Sequence, residues 1–409
     1  MTKAKLLRMA VLTDIHAFSG GEGASPSWIN LTEDQSNATT NPFAGLHTAI
    51  AKDSSMRADV VICCGDMGDK ASPDGQQYVW QEVNKLKDAL GASKVLGTAG
   101  NHDMDSRFSN SKFDARGQLQ ALKPLFPVTE NEHWLEYWAR NYTVLTVDSA
   151  RFVLLNSSAY HGYLKDKSPP EYLQGRVSDR TLDSLLSRLR DDGKAAANIL
   201  VCHHHPLRND QIKVEDYSEM QNGDRLINTL IEAKVGPWLI IHGHKHLPRV
   251  LYAPGGNVAP TIFSAGSFSA KLYPEYGANA RNEFYIVDLE IPSAVGTVSS
   301  LRGSISTWQW TYGNGWNKPK SGHGIGVAAA FGARLDVAAE AAKLATELKA
   351  NHAGSSVTWE AVCLTNKELK HLIPEDLESF LDHLKSDHNL NPLYEPEGGL
   401  SLIQVPANG

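Results

Sequence analysis

The sequence predicts a layered α/β fold, for three reasons. Short apolar runs that suit buried strands alternate with helical patterns. A strand-rich stretch follows this alternation, and the length of 409 residues exceeds what a single core usually fills. The apolar runs contain branched residues and end in polar or glycine-containing turns. They read LLRMAVLTD, ADVVICCGD, SKVLGTAGN, RFVLLNSS, NILVCHHHP, PWLIIHGHKH and TIFSAGS.

Helices are predicted between these strands, where apolar residues recur at helical spacing. Ser178 is a suitable N-cap for one of them, and Asp179 places a carboxylate in its first turn. Further along the chain, NEFYIVDLEI and GSISTWQWTY predict antiparallel strands. Two long polar stretches, 17–45 and 103–133, predict loops of a length that usually carries function or moves. The predicted helices cover residues 76–90, 178–191 and 223–235.

The chain is expected to divide into a large domain, 1–316, and a small α+β domain, 327–409. The Gly/Lys/Pro-rich stretch 313–326 is the predicted linker. We expect the small domain either to pack on the large one or to mediate oligomerisation or partner docking. Its predicted elements are a helix at 333–350, a strand in SVTWEAVCL, a helix at 365–386 and a hairpin in LYEPEGGLSLIQV.

Composition excludes several classes of protein. With 42% hydrophobic and 21% charged residues, the chain has ordinary globular composition. A formal charge of -7 disfavours a surface that coats nucleic acid. No stretch reaches the roughly 18 apolar residues of a membrane span, and the N-terminus lacks a small-residue cleavage site. The cysteines form no CxxC pair, which favours a reducing compartment, so we expect a cytoplasmic protein with no membrane partner.

Five of the strand ends carry groups that suit a metal site. Eight of the 16 histidines fall inside them, a concentration that scattered histidines do not produce. Carboxylates, imidazoles and an amide oxygen suit divalent ions such as zinc, manganese or iron. In α/β proteins such groups gather at the carboxyl ends of strands. The motifs are Asp14-Ile15-His16, Gly65-Asp66, Gly100-Asn101-His102-Asp103, His203-His204-His205-Pro206 and His242-Gly243-His244-Lys245-His246.

This ordered set of DxH, GD, GNHD, HHP and GHxH motifs resembles the calcineurin-like metallophosphoesterase superfamily. The superfamily includes purple acid phosphatases, phosphoprotein phosphatases, class III cyclic nucleotide phosphodiesterases and glycerophosphodiesterases. The resemblance covers residues 7–316 and leaves the rest of the chain outside. It implies a four-layer α/β/β/α sandwich of two mixed β-sheets flanked by helices, with a small α+β C-terminal appendage.

The resemblance also implies two divalent metal ions, manganese, iron or zinc, and a ligand for each at matching positions. Asp66 would bridge them, with an oxygen for each ion. In the family the HxP ligand is the first histidine, here His204, so His203 and His205 are expected to point elsewhere. The alternative for His205 is a position close to the substrate. His242 is expected to be a structural residue. The remaining ligands are Asp14, His16 and His246 for the first ion, and Asn101 and His244 for the second.

The resemblance also implies a catalytic role for the histidine that follows the asparagine ligand. His102 would reach the substrate, where it stabilises phosphoryl oxygens or protonates the leaving alkoxide. Asp103 would orient the His102 ring, with helix capping as the alternative. Asp69 is interpreted as a loop residue, with support of a residue at the metal site as the alternative. The implied reaction is hydrolysis of a phosphodiester, of the cyclic nucleotide or glycerophosphodiester type, by a metal-activated hydroxide.

The diester preference comes from the likeness of GNHD, HHP and LQGRVSDRTLDSLLSRLRDD to the bacterial phosphodiesterase branch. Alternatives are a metal-dependent nuclease, which the acidic charge disfavours, and a phosphomonoesterase. A non-catalytic scaffold of this fold typically loses ligands, whereas this chain retains every one. We expect a small phosphoester substrate, with the two predicted loops walling its pocket. Candidate contacts, with packing roles as the alternative, are Trp28, Arg107 and Phe108.

Overall fold

A computed structural model describes residues 5–20, 26–163, 170–208, 218–272, 281–296, 298–319, 325–326, 328–395 and 399–407. The β-strands, in chain order, are β1 (Lys5–Leu12), β2 (Val60–Cys63), β3 (Lys94–Gly97), β4 (Tyr142–Val147), β5 (Ala150–Leu155), β6 (Ala197–Val201), β7 (Trp238–His242), β8 (Arg249–Tyr252), β9 (Thr261–Ser264), β10 (Asn282–Ile291), β11 (Arg302–Thr311), β12 (Gly315–Asn317), β13 (Ala328–Phe331), β14 (Ser356–Thr358), β15 (Asn391–Tyr394) and β16 (Leu400–Gln404).

The helices begin and end at well-defined positions. Asn41 and Ser178 cap two of them by accepting the Ala44 and Thr181 backbone N–H groups, as expected for Ser178. The α-helices are α1 (Pro42–Lys52), α2 (Pro73–Leu90), α3 (Gly117–Ala121), α4 (Asn131–Arg140), α5 (Asp179–Asp192), α6 (Gly223–Ala233), α7 (Val337–His352), α8 (Trp359–Thr365) and α9 (Pro374–Ser386).

Two large mixed sheets form the centre of the fold. The first has the strand order β12-β11-β10-β1-β2-β3, with β13 also paired to β11. In it β1, β2 and β3 run parallel, and β10 runs antiparallel to β1. The second has the order β4-β5-β6-β7-β9-β8, with β5, β6, β7 and β9 parallel and an antiparallel strand at each edge. The edge at which β2 and β6 end is where the motifs lie.

Helices cover the outer faces of the two sheets, which confirms the four-layer α/β/β/α sandwich. Alternate residues of β6 belong to different cores, since Ile199 and Val201 face the first sheet while Leu200 faces α5 and α6. The same hydrophobic cluster also includes apolar side chains of α1 and α2. Among the described residues, no helix is long and apolar enough to cross a membrane.

The C-terminal residues form a third, separate hydrophobic cluster. Apolar side chains of α7, α8 and α9 pack there with a small antiparallel sheet in the order β14-β16-β15. The predicted hairpin is confirmed as β15 and β16, and the predicted helices 333–350 and 365–386 correspond to α7 and α9, although α9 begins only at Pro374. The chain reaches this cluster from β13, which still belongs to the first sheet. The domain boundaries stay a prediction.

Three local predictions are corrected by the structure. The loop 17–45 ends earlier, because α1 begins at Pro42. The loop 103–133 contains the short helix α3 and the first turn of α4. SVTWEAVCL is a strand only over Ser356–Thr358 and is helical from Trp359, because Thr358 caps α8 by accepting the Ala361 N–H.

Candidate metal centre

The five predicted motifs meet at one edge of the two sheets. In the first sheet, parallel strands β1, β2 and β3 end immediately before the DxH, GD and GNHD motifs. In the second, parallel strands β6 and β7 end before the histidine motifs. Backbone hydrogen bonds tie these strand ends together, for example from Cys202 N to the Ile241 carbonyl. The strand ends of both sheets therefore present their side chains to a common space.

Left-handed backbone conformation marks most of the predicted ligands. A positive φ is uncommon for a residue with a side chain, and such strain collects at functional sites. Here it occurs at five predicted ligands on three of the five strand ends, so the turns that aim these side chains are unusual ones. The φ angles are 53° at Asp14, 53° at His16, 53° at Asp66, 81° at His244 and 58° at His246.

Gly243 allows the two sheets to approach each other at the site. A Cβ on Gly243 would lie 2.1 Å from Thr13 Oγ1 and 2.4 Å from Asp14 Oδ2, so no other residue fits without displacement. The next residue, His244, donates its backbone N–H to Asp14 Oδ1 and Oδ2, at 3.2 and 3.0 Å. This close packing fixes the fully buried Asp14 carboxylate.

Asp14, His16 and His246 form the first group of potential metal ligands. Asp14 Oδ1 lies 3.2 Å from His246 Nε2 and 3.9 Å from His16 Nε2. The two imidazole nitrogens are 3.4 Å apart. A carboxylate and two imidazoles that converge in this way are suitable ligands for a divalent transition metal. These are the residues predicted for the first ion.

Asp66 lies between the first group and the second. Its Oδ2 is 3.6 Å from His16 Nε2 on one side and 3.3 Å from His203 Nε2 on the other. Its Oδ1 accepts the His102 backbone N–H at 2.7 Å. Oδ2 thus faces both groups of potential ligands, while Oδ1 accepts a backbone N–H. That each oxygen serves one ion stays a prediction.

The second group contains Asn101, His203, His204 and His244. Asn101 Oδ1 lies 3.1 Å from His203 Nε2 and 3.1 Å from His244 Nδ1. The coordinating atoms of the three histidines lie within 4.8 Å of one another. The expectation that His203 points elsewhere is wrong, because its ring is fully buried against Asp66 and Asn101.

Unpaired imidazole nitrogens show that this group fits a metal ion. His204 Nε2 and His244 Nε2 are buried and have no hydrogen-bond partner in the part of the chain that the structure describes. The other nitrogen of His204, Nδ1, lies 2.9 Å from Ser157 Oγ, which holds the ring. Buried polar atoms are normally paired, and a cation bound by these nitrogens would supply the missing partner.

In the metal-free protein the pKa of His16 agrees with this fit, whereas that of His203 describes a protonated ring that donates to Asp66. Burial alone would raise the pKa of Asp66, but the neighbouring His203 and His102 rings lower it well below its usual range. Burial lowers the pKa of His203, yet the Asp66 carboxylate outweighs it and raises that pKa to about 9. For His16, burial and the His102 ring lower the pKa to about 4, which leaves a neutral imidazole, the form that binds metals.

His102 lies at the exposed side of the first group. Its ring packs edge-on against His16, with centroids 4.6 Å apart, and its side chain is 22% exposed. Its Nδ1 is 2.9 Å from Asp69 Oδ1, so Asp69 is not merely a loop residue, as predicted, but orients this ring. A histidine held through one nitrogen offers the other to a substrate.

Asp103 has a different role from the one predicted. Its carboxylate does not orient His102 but accepts backbone N–H groups of Asp66 (2.7 Å), Met67 (2.8 Å) and Gly100 (2.9 Å). The loop after β2 is thereby tied to the loop after β3. The buried Asp103 side chain is surrounded by these backbone donors. The Asp69 side chain lies nearer the surface, within reach of the His102 ring.

The remaining candidates lie outside the ligand groups found among the described residues. His242 Nδ1 is 3.0 Å from the Gly243 carbonyl, and the His205 ring stacks on His244 at 5.7 Å. The aromatic and cationic candidates have packing contacts or turn geometry instead. Trp28 packs against Tyr312 with ring centroids 5.1 Å apart, Arg107 stacks at 4.1 Å on the Tyr172 ring, and Phe108 has a φ of 54°.

Two functional candidates were missed from the sequence, although each had a signal. Asp69 follows Asp66 by three residues in GDMGD, within reach of the same strand end. His203 follows Ile199 and Val201 at the two-residue period of β6, which predicts an inward side chain. Ser157, which holds His204, had no signal because its role depends on the pairing of β5 with β6.

Comparison with known proteins identifies the family. The family model described as calcineurin-like phosphoesterase matches residues 7–248. Among solved structures, a dimetal phosphatase from Danio rerio is 14% identical, with 75% of this chain and 99% of that chain covered and a TM-score of 0.46. A purple acid phosphatase from yellow lupin seeds is also 14% identical, with 77% of this chain and 53% of that chain covered and a TM-score of 0.47. No curated protein matches the chain in sequence. Because the family model spans well over half of the chain, the chain belongs to the calcineurin-like phosphoesterase family.

Proposed function

We propose that the chain hydrolyses a phosphodiester with the aid of two divalent metal ions. The observation that carries this proposal is the position of Asp66, whose Oδ2 lies 3.6 Å from His16 Nε2 and 3.3 Å from His203 Nε2. One carboxylate oxygen between two sets of buried imidazoles is suited to a site for two neighbouring cations. Family membership supports phosphoesterase chemistry at this site.

The residues that would hold the ions follow from the two groups. When bound, two divalent ions lower the pKa of a water molecule and neutralise the phosphoryl oxygens. Asp14, His16 and His246 would hold the first ion, and Asp66 would contact both. Asn101, His204 and His244 would hold the second. Burial excludes bulk water from these ligands except His244 and His246, which are partly exposed.

His102 is the residue best placed to act on the substrate itself. Asp69 holds Nδ1 of the ring at 2.9 Å, so Nε2 is the atom that holds a proton for the leaving alkoxide. Asp69 would fix the orientation of the ring. Since the His102 backbone N–H also binds Asp66 Oδ1, the ring stays at a fixed distance from the bridging carboxylate.

The preference for a diester is tested by comparing two chromogenic substrates. With manganese-loaded protein, we expect turnover of bis(p-nitrophenyl) phosphate to exceed that of p-nitrophenyl phosphate. The preference is based on the likeness of GNHD and HHP to the phosphodiesterase branch. Turnover of the monoester alone contradicts the diester assignment and leaves a phosphomonoesterase. Absence of turnover for both substrates at full metal content contradicts the enzymatic function.

A nuclease is distinguished by a separate substrate. The acidic charge of -7 disfavours binding of a polyanion. We therefore expect no cleavage of single-stranded or double-stranded DNA at protein concentrations that hydrolyse the nitrophenyl diester completely. Cleavage of either DNA at a comparable rate favours the nuclease.

A further inference from the structure

A cavity lies at the edge of the two sheets that is opposite the metal centre. Its volume is about 650 Å³, which is within the range of small-molecule sites. Strand β1 begins beside the cavity with Lys5 and ends at the DxH motif, so the length of this strand separates the cavity from the potential metal ligands. Residues 194–196, which lead into β6, and residues 291–295, at and after the end of β10, form further walls.

The polar part of this cavity carries positive charge. Lys5, Arg151 and Lys194 line it, and none of its described lining residues is an aspartate or a glutamate. In a chain with a formal charge of -7, three cations around one cavity reverse the local charge and favour anions. Hydroxyl groups are also present, on Thr146, Ser149 and Ser293.

Arg151 is a buried cation without a carboxylate partner. The residue is only 6% exposed, and its guanidinium donates to neutral acceptors among the described residues. These are the Asn198 side-chain oxygen at 3.2 Å and the Asp192 and Gly193 carbonyls at 3.4 and 2.6 Å. The Asp192 carboxylate is itself paired with Arg188 at 2.9 Å. Buried charges are normally paired, and a bound anion would supply the counter-charge of Arg151.

The remainder of the cavity combines exposed charge with apolar surface. Lys5 pairs with Asp148 at 3.4 Å, but both side chains are about half exposed, and such exposed pairs are weak. Ile291, Pro292 and Val295 also line the cavity. Small-molecule sites typically combine apolar walls with a few placed polar groups, so this lining fits an organic anion better than an inorganic one.

We propose that this cavity binds a small organic phosphate, with the phosphate group at Arg151, Lys5 and Lys194 and the organic part against the apolar wall. A phosphate with two negative charges can serve more than one cation, and guanidinium and ammonium groups both bind it through charge-assisted hydrogen bonds. Arg151 Nε makes no hydrogen bond to the described residues, so this N–H remains for the ligand. The site is independent of the proposed function, because it requires no metal ion.

Calorimetric titration with phenylphosphonate tests the proposal, because a C–P bond is not a phosphoester and is not hydrolysed. We expect the full-length chain to bind one phenylphosphonate that persists after EDTA treatment. Lys194→Gln and Arg151→Gln should each weaken this binding by roughly 10-fold or more, as for loss of a charge-assisted hydrogen bond. Lys234→Gln is the matched control, for which we expect parental affinity. Lys234 is an exposed lysine at the end of α6, as Lys194 is after α5, but it lies outside the cavity lining.

The outcomes separate this site from the metal centre. Parental affinity in Lys194→Gln overturns the site, and so does an equal loss in Lys234→Gln, which shows a general effect of net charge. Absence of saturable binding by the EDTA-treated parent also overturns it and leaves the proposed function intact. Because Arg151 also holds the end of α5, Arg151→Gln can fail to fold, and the exposed Lys194→Gln then decides alone. Benzoate has the same ring and one negative charge, and binding as tight as that of phenylphosphonate overturns the phosphate assignment.

Discussion

Two neighbouring residues, His102 and Asp103, show how the surroundings of a side chain determine its role. The His102 ring reaches the exposed rim, where Asp69 holds it at 2.9 Å. The Asp103 carboxylate turns inward and accepts four backbone N–H groups from the loops after β2 and β3. We therefore assign chemistry to the first residue and loop geometry to the second.

Replacement of His102 tests the chemical role. His102→Ala removes the ring but keeps the backbone N–H that binds Asp66 Oδ1. We expect both metal ions to remain while turnover of the nitrophenyl diester falls by roughly 10²–10⁴, the range for loss of a general acid. Metal content by mass spectrometry and initial rates provide the measurement. Loss of metal in this variant shows instead that His102 is a ligand.

Replacement of Asp103 tests the structural role. Asp103→Ala leaves several buried N–H groups unpaired, and each costs on the order of 1–3 kcal/mol. We expect the free energy of unfolding to fall by at least ~3 kcal/mol in urea titrations with EDTA. Asp69→Asn is the control: we expect lower turnover with nearly unchanged stability. Equal stability of the parent and Asp103→Ala contradicts this role.

The ligand types could be predicted from single residues, but their partners could not. The motifs place Asp14, His16 and His246 at strand ends, and the structure brings them together. Asp69 resembles an ordinary loop residue in sequence because its contact with His102 bridges 33 residues of chain. For His203, the strand period predicts an inward side chain, but the HxP motif predicts the next histidine, His204, as the ligand instead. Both roles depend on tertiary geometry, which no local pattern contains.

At the level of elements, the turn after β7 controls the first group of ligands. A methyl group at position 243 would overlap Thr13 Oγ1 at 2.1 Å and Asp14 Oδ2 at 2.4 Å. We expect Gly243→Ala to displace Asp14 and to lose bound manganese together with turnover. Gly399→Ala is the control, since a Cβ there meets nothing within 4 Å. Parental metal content in Gly243→Ala contradicts the close packing of these two turns.

Strand β10 contains a buried carboxyl group that links stability to pH. Glu283 is fully buried and accepts hydrogen bonds from Tyr285 and, at 2.8 Å, from Gln309 Nε2. Burial raises its pKa from 4.5 to about 7. A pKa that is higher in the folded state stabilises the fold below pH 4.5. This stabilisation disappears as the pH rises through about 7.

Glu283→Gln tests this linkage. We expect the unfolding free energy of the variant, relative to the parent, to increase by up to ~3 kcal/mol between pH 5 and pH 8. Urea titrations with EDTA at both pH values exclude contributions from metal binding. A difference between the two proteins that does not change with pH rules out titration of Glu283 in this range.

Most elements of the fold could be predicted because their signals are local. The buried strands and helices α2, α5 and α6 follow from apolar spacing, and Ser72 and Ser178 also cap α2 and α5. Helix α8 resembles a strand in sequence because Trp359 and Val362 have aromatic or branched side chains and follow the strand residue Val357. In the structure, the Thr358 side chain caps the helix, and this local interaction outweighs the strand propensity of these residues.

On the scale of the whole molecule, two sheets supply one site. Neither sheet alone holds a complete set, because the ligands after β1, β2 and β3 need those after β6 and β7. The C-terminal cluster contacts both sheets, since Arg302 of β11 pairs with Glu368 at 2.7 Å and Arg249 of β8 pairs with Glu375 at 2.7 Å. We propose that it packs on the large domain through these contacts, with oligomerisation or partner docking as the alternative.

Removal of the Asp66 carboxylate tests most directly whether this residue joins two metal ions into one catalytic site. We expect the parent to contain about two manganese ions per chain, in line with a dinuclear site. Asp66→Ala should lose both ions and nearly all turnover of the nitrophenyl diester, because its Oδ2 faces both groups at 3.6 and 3.3 Å. An Asp66→Ala protein with parental metal content and parental turnover contradicts the bridging role of Asp66.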